Sequence, residues 1–432
     1  MTAPDSLRGG PAQLRYRDGE LWLEDVPIAE VADAVDTPTY VYSGGAIDDA
    51  YARVAGAMAS ITDREVLVAY AIKANSSLAI LSRLASMGCG ADIVSGGELR
   101  RCLQAGVDPD KIVFSGVGKR TEEIRAALQE GIRAIHVESP DELALIAEEA
   151  RRLGVQATIG LRINPDIDAE THPYIATGLH STKFGLELDV ARALLDRIVG
   201  ERHLRLESVA CHIGSQLAAV APLEEAVAIL ARFALECRAA GAPVTALDIG
   251  GGWPMVYGDE ATPYPSYAEF ARSIRRGLEA AGGLDFDLIT EPGRALVGQA
   301  GLLVTRVLRV KSQSDKRFVV VDAALTELIR PALYQAYHGV VPVRASRAPA
   351  TPADVVGPVC ESSDFLARGR ALGTDVAAGD LLVVLGAGAY GREMAMAYNA
   401  RPPVAEVLVE GEGWRIIRER ASVESLWALE RF

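Results

Sequence analysis

Between residues 65 and 294 one unit recurs: a short β-rich run, a polar or glycine-bearing corner, then apolar residues at helical spacing. The runs are VLVAYAIK (66–73), GADIVS (90–95), KIVFSG (111–116), AIHVES (134–139), ATIGLRIN (157–164), ESVACHIG (207–214), TALDIGG (245–251) and DLITEPG (287–293). Helix starts are marked too. Ser95-Gly96-Gly97-Glu98 has the capping-box form, and Ser139-Pro140-Asp141-Glu142 places proline at the first helical position behind a serine cap. Strands alternating with helices imply parallel pairing, so eight such units predict a closed (β/α)8 barrel of the TIM type. An open doubly wound sheet is the competing arrangement.

Beyond residue 303 the pattern changes. VTRVLRVKS, RFVVVDA, DVVGPVC, DLLVVLG and AEVLVEGEGWRIIRER read as short strands with few long helices. They predict an all-β second domain, a β-sandwich or β-barrel. LRYRDGELWLEDVPIA (14–29) holds a strand, an Asp-Gly turn and another strand, so it joins that domain. The fold class expected is thus α/β plus all-β, with a barrel over 45–303 and a β-rich domain from 1–44 and 304–432. SRAPATPADV (346–355) is read as a surface loop.

A chain of 432 residues is long enough for two such cores. Its formal net charge of -14 argues against a nucleic-acid backbone as partner, since that binding needs clustered cations. Cys89, Cys102, Cys211, Cys237 and Cys360 are an odd number without metal-ligand spacing; free thiols in a reducing cytoplasm, and no metal, are expected. The N-terminal segment lacks the apolar stretch of a secretory signal, and no apolar run approaches the ~20 residues that span a bilayer. A cytoplasmic protein with no membrane partner is the expectation.

In barrels of this kind the working residues lie at the C-terminal ends of the strands. Those ends carry Lys73, Ser95, Ser115, Glu138, Asn164, His212, Gly250 to Gly252, and Glu291 with Arg294. A lysine held against apolar surroundings loses its proton more readily, and a neutral amine can form a Schiff base with a carbonyl. The bland alternative for Lys73 is a side chain that carries its charge past the rim to water. Asp-Ile-Gly-Gly-Gly (248–252) closes the seventh run and Glu-Pro-Gly-Arg (291–294) the eighth, where barrels often hold phosphate. Three glycines clear side chains from the approach and free several backbone N–H donors for an anion.

A lysine with a phosphate cradle points to pyridoxal phosphate. That cofactor needs an amine, donors for its phosphate, a partner for its ring nitrogen and something against its ring face. Glu291 can pair with the ring nitrogen and keep it protonated. His212 can lie on the ring, and Ser215 can donate to the phosphate. Standing alone, His212 reads equally as a core histidine satisfied by a carbonyl.

These motifs resemble those of the diaminopimelate decarboxylases, within the fold-type III, alanine-racemase-like pyridoxal-phosphate enzymes. The resemblance runs over residues 14–430, through YAIKANS, ADIVSGGELRR, VFSGVGK, INPDIDAETHPYIATG, STKFGL, CHIGSQ, LDIGGG, EPGR, LIRPALY, GPVCESSDFL, GAGAYG and YNARP. It implies that Lys73 carries the cofactor, His212 stacks on its ring and Glu291 contacts its nitrogen. Gly251 and its neighbours Gly250 and Gly252, Gly293 and Arg294 of the 291–294 segment, and Tyr390 would hold the phosphate. Arg294, Arg330, Tyr334, Glu361 and Tyr390 would grip the distal end of the substrate, and Cys360 would be the proton donor. The family brings Cys360 and Glu361 from the neighbouring subunit, so a homodimer with shared active sites is implied. The implied reaction is decarboxylation of meso-2,6-diaminopimelate to L-lysine and CO₂, the last step of lysine biosynthesis.

Two places depart from the commoner family pattern: Ala324-Leu325-Thr326-Glu327 before LIRP, and Trp253-Pro254 after the glycines. Both bear on fine specificity. The rival readings are a sister decarboxylase acting on ornithine, arginine, carboxynorspermidine or another D-amino acid, a non-enzymatic pyridoxal-phosphate-binding regulator, and a cofactor-free aldolase using Lys73.

Overall fold

The structure is a computed structural model describing residues 7–168 and 183–431. The chain divides into two compact units: residues 51–254 with 263–293, and residues 1–50, 255–262 and 294–432. This differs from the expected 45–303 barrel domain at both ends. Gly301–Gln313 is a strand of the second unit, pairing with Thr39–Ser43 and Leu381–Val384, so the chain has left the barrel before residue 303.

In the first unit all eight expected runs are strands of one closed parallel barrel. They are β1 (Val66–Ala71), β2 (Gly90–Ile93), β3 (Ile112–Phe114), β4 (Ala134–Val137), β5 (Ala157–Arg162), β6 (Leu204–Ala210), β7 (Ala246–Asp248) and β8 (Asp287–Thr290). Each stops short of the motif that follows it, because glycines and side-chain hydrogen bonds turn the chain there into a corner. At the starts of the helices Gly96–Ala105 and Pro140–Leu153, Ser95 and Ser139 accept the N–H of Glu98 and Glu142. The glutamates reach back one residue further than a standard box, to the N–H of Val94 and Glu138.

The interior of the barrel is layered by chemistry. Leu67, Ala69, Val113, Ala246 and Ile289 form a buried apolar cluster. Asp92, His136, Ser208 and Asp248, all buried, form a polar layer from β2, β4, β6 and β7. Barrel interiors are usually packed with branched aliphatics, so this layer marks the end where chemistry is done. Gly160 on β5 makes room for it: a Cβ there would lie 2.4 Å from the Ser208 hydroxyl.

The second unit holds a nine-stranded mixed sheet and a three-stranded antiparallel sheet, Leu14–Arg17, Glu20–Leu23 and Val26–Pro27. The expected N-terminal strands and turn are present, with Asp18 and Gly19 both at positive φ, as a tight hairpin turn requires. A single apolar core joins both sheets, including Leu21, Leu23, Val41, Leu302, Val383 and Val407. One expectation fails: the later part of SRAPATPADV, from Ala350 on, belongs to the strand Ala350–Val356, which pairs with Lys316–Val321 and Phe365–Gly373. The alternating burial of Ala353 and Val355 carries the strand signal that the prolines and alanines obscure. Among the described residues no helix is long and apolar enough to cross a membrane.

Candidate active site

At the C-terminal end of the barrel, Lys73 lies in a short helical turn, Ile72–Ala74, directly after β1. It is half-exposed rather than set among apolar walls, and its Nζ donates to Asp92 Oδ2 at 2.8 Å. The register explains the pairing, since Asp92 on β2 sits opposite Ala71. Asp92 is fully buried and its Oδ1 has no hydrogen-bond partner among the described residues. A carboxylate in that setting orients the amine from below.

The glycine corner is occupied differently from the expectation that it frees several donors. The Gly250 N–H donates to Asp248 Oδ1 at 2.9 Å, and the Gly251 N–H to His212 Nδ1 at 3.1 Å. Two of the three N–H groups therefore brace the corner itself. What the corner offers is clearance: a Cβ on Gly251 would stand 2.5 Å from the Glu291 carbonyl oxygen, and Gly250 sits at φ +67. Gly251→Ala is expected to displace the Glu291 backbone and weaken cofactor retention about 10–100-fold, by overpacking of about 1–3 kcal/mol. Equilibrium dialysis of the stripped protein checks this.

Accepting the Gly251 N–H fixes the His212 proton on Nε2. Burial, with the Lys73 and Arg162 cations, lowers its imidazole to about 3, so the ring is neutral and available for stacking. Glu291 follows β8. Burial first, then the Asp248 and Asp92 carboxylates, push it well above the usual carboxylate range, against the pull of Lys73 and Arg162. Ser115 lies 3.5 Å from Glu291 Oε1 and 3.1 Å from His136 Nδ1. Ser215 is half-buried in the turn after β6.

Other predicted strand-end residues serve the scaffold. Glu138 accepts the N–H of Gly116 and Gly185 and pairs with Arg162 at 2.8 Å, tying the corners of β3, β4 and β5. Ser95 is a helix cap, and Asn164 braces its loop through Phe184 O and Asp166 N. Residues 169–182, which carry most of INPDIDAETHPYIATG and the start of STKFGL, lie outside the described residues. Trp253 is buried, donating to Thr290 Oγ1 at 2.8 Å and stacking on Phe270, so this departure is a core residue.

The second unit carries its own cluster. Arg330 opens the short helix Arg330–Tyr334, is buried, and packs its guanidinium over Tyr257 and Tyr334 at 5.2 and 5.8 Å. Arg294 donates to the Tyr257 hydroxyl and lies 4.8 Å from the Tyr390 ring centroid. Among the described residues Arg330 makes no ion pair, and its Nε has no hydrogen-bond partner. A buried guanidinium without an anion is costly and suits a carboxylate brought by a ligand. Tyr257, which both arginines share, was not legible as a site residue.

Cys360 and Glu361 are exposed, and the other four cysteines are buried. Asp364 holds their loop, accepting the N–H of Leu325 at 2.7 Å and of Val359 at 2.9 Å. The Cys360 N–H donates to Asn399 Oδ1 at 3.2 Å. Asp364 is thus a brace for the loop, and Leu325 in the departing 324–327 segment is part of the same brace.

The barrel end fits pyridoxal phosphate on its own terms: an amine, a neutral flat imidazole, a cleared corner and a buried carboxyl. His136, Asp248 and Glu291 also bring ligating atoms within 4.8 Å of one another.

Fold and site together define a pyridoxal-type barrel enzyme, and residues 45–298 match the family model for the pyridoxal binding domain of pyridoxal-dependent decarboxylases. The chain is 46% identical to the diaminopimelate decarboxylase of Vibrio cholerae over 96% of its length and 97% of that relative. The crystal structure of the Helicobacter pylori diaminopimelate decarboxylase complexed with L-lysine superposes with a TM-score of 0.87, at 41% identity, covering 93% of this chain and 98% of that one. That of M. jannaschii, also with L-lysine, gives 0.93 at 36% identity, covering 98% of both chains. The chain belongs to the diaminopimelate decarboxylases of this pyridoxal-dependent family.

Proposed function

We propose that this protein removes CO₂ from meso-2,6-diaminopimelate to give L-lysine, using pyridoxal phosphate. The observation that carries the reading is the convergence of Lys73, His212, the 250–252 corner and Glu291 at one end of a closed barrel. When bound, the cofactor supplies an aldehyde for the substrate amine and a ring that accepts the electron pair of the breaking C–CO₂ bond.

Lys73, held by Asp92, would be the amine that holds the cofactor's aldehyde. His212 presents a neutral ring face, which stacks without competing for charge. Glu291 has its proton held by burial and by the Asp248 and Asp92 carboxylates, and would hold the cofactor's ring nitrogen through that proton. Charge stabilisation prepared in advance of the reaction is usually the largest catalytic contribution. Ser215, Gly252, Gly293 and Tyr390 are assigned to the phosphate. Arg330 and Arg294, with Tyr334 and Tyr390, are assigned to the distal carboxylate, and Glu361 to the distal ammonium.

Cys360 is assigned as the proton donor to the carbon that loses CO₂, acting in the site of a partner subunit. Its exposure beside Glu361 supports this, because a donor serving its own chain's buried site has no reason to face outward. Mixing Lys73→Ala with Cys360→Ala protein, each inactive alone, is expected to restore part of the activity; no recovery after subunit exchange refutes a shared site. Unpaired cysteines fit a reducing cytoplasm.

The test of the function is CO₂ release from meso-diaminopimelate, L,L-diaminopimelate, ornithine and lysine side by side. Turnover of the meso compound alone is expected. Preference for ornithine would assign the chain to a sister decarboxylase, and a purified protein that borohydride cannot load at Lys73 would remove the cofactor itself.

A further inference from the structure

Asp248 touches two parts of the site, the glycine corner and Glu291. It is the last residue of β7, fully buried, and lies in register with Ala210 and Ile289. Its Oδ1 accepts the Gly250 N–H. Its Oδ2 has no hydrogen-bond partner among the described residues and lies 3.8 Å from His136 Nε2, which is likewise unpartnered. His136 Nδ1 in turn stands 4.0 Å from Glu291 Oε1.

We propose that Asp248 is a positioning residue, one oxygen pinning the glycine corner through Gly250 while its charge keeps a proton on the contact between Glu291 and the cofactor's ring nitrogen. The proposal rests on the cofactor reading above and deepens it. A buried carboxylate with an unsatisfied oxygen is costly; burial, with the Asp92 carboxylate, raises its own pKa to about 7, against the pull of the Gly250 N–H, of a shared hydrogen bond with Glu291 and of Arg162. That cost is retained at the place where a negative charge raises Glu291. The groups facing Asp248 are Asp92 from β2, His136 from β4, Arg162 from β5, Cys211 after β6 and Glu291 after β8, with Lys73 acting on Glu291. His136 does not supply the balancing charge, since burial, Lys119 and Arg162 lower its imidazole to about 3. The balancing cation is therefore the protonated ring nitrogen, through Glu291.

The sign follows. An anion nearby favours the protonated form of the Glu291–nitrogen pair, so removing it lets the proton leave at lower pH. Asp248→Asn preserves an oxygen for the Gly250 N–H and deletes only the charge. The protein is loaded with pyridoxal phosphate labelled with ¹⁵N in the ring, and the nitrogen shift is followed by NMR between about pH 6 and 10. The wild-type nitrogen is expected to stay protonated further into alkali than that of Asp248→Asn, by about 1–3 pH units. Coincident titrations overturn the proposal. If Asp248→Asn does not fold or load, the stripped wild-type protein decides: an infrared band of a protonated carboxyl near neutral pH, lost in Glu291→Gln, supports the shared proton, and its absence overturns it. Borohydride trapping at Lys73 in the wild type is run beside these, and its failure refutes the cofactor reading rather than Asp248 in particular.

Discussion

Lys73→Ala is expected to lower turnover by about 10⁴–10⁶-fold, the scale seen when a residue that forms the covalent bond to substrate or cofactor is deleted. Nζ is half-exposed and its partner Asp92 is fully buried, at 2.8 Å. The carboxylate lies in the barrel wall, and the amine stands on its more exposed side. An ion pair serving only stability would gain little from an amine so placed, because partly exposed pairs contribute about 0–1 kcal/mol. Lys73→Arg separates the two meanings. A guanidinium preserves the charge and can still pair with Asp92 but does not act as a nucleophile at working pH. Arginine is therefore expected to restore thermal stability and none of the activity, and mass spectrometry after borohydride should find no cofactor adduct in either variant. Activity in Lys73→Arg within tenfold of wild type would reduce the lysine to a strut for Asp92.

The parts of this site that were legible in the sequence are those written as interruptions of a pattern. Eight strand runs end in polar or glycine corners, and the period of the runs made both the barrel and its working end readable. Lys73, His212 and Glu291 stand at such interruptions. Asp92 and Asp248 do not: each lies inside its run, in GADIVS and TALDIGG, where no interruption of the pattern marks it. The useful signal was there, since an acid flanked by apolar residues in a buried strand is expensive unless something answers it. Tyr257 was illegible for another reason. It lies in an irregular stretch between β7 and the helix Tyr267–Ala281, and residues 255–262 fold with the other unit, which no local pattern records. The glycine corner was read correctly for its clearance and too generously for its donors, because the hydrogen bonds from Gly250 to Asp248 and from Gly251 to His212 depend on how two distant strands are set side by side.

Arg330→Ala is expected to cut kcat/KM for diaminopimelate by about 10²–10³-fold, about 3–4 kcal/mol, which is the scale of removing one member of a buried charge pair. The loss should be far smaller for ornithine, which has no distal carboxylate. Arg330 is buried between two aromatic rings, and burial lowers its guanidinium pKa, with Arg294 adding to the effect. No acidic side chain relieves that cost among the described residues, so in the absence of ligand the arginine is held at the protein's expense by Tyr257 and Tyr334. A ligand carboxylate would convert the cost into a charge-assisted, two-pronged contact. The same logic sets the selectivity: a substrate without the carboxylate leaves Arg330 buried and unanswered, and sites built around a polar partner reject analogues lacking it more strongly than apolar pockets reject a missing methylene. Alanine removes both the reward for the right substrate and the penalty against the wrong one. The ratio of the two kcat/KM values should therefore collapse while the thermal stability of the stripped protein is unchanged or raised. Tyr257→Phe gives the intermediate case, since it preserves the ring under Arg330 and deletes only the hydroxyl that Arg294 holds; it should raise KM for diaminopimelate with a lesser change in kcat. Equal losses on both substrates in Arg330→Ala would show that this arginine supports the fold and reads no carboxylate.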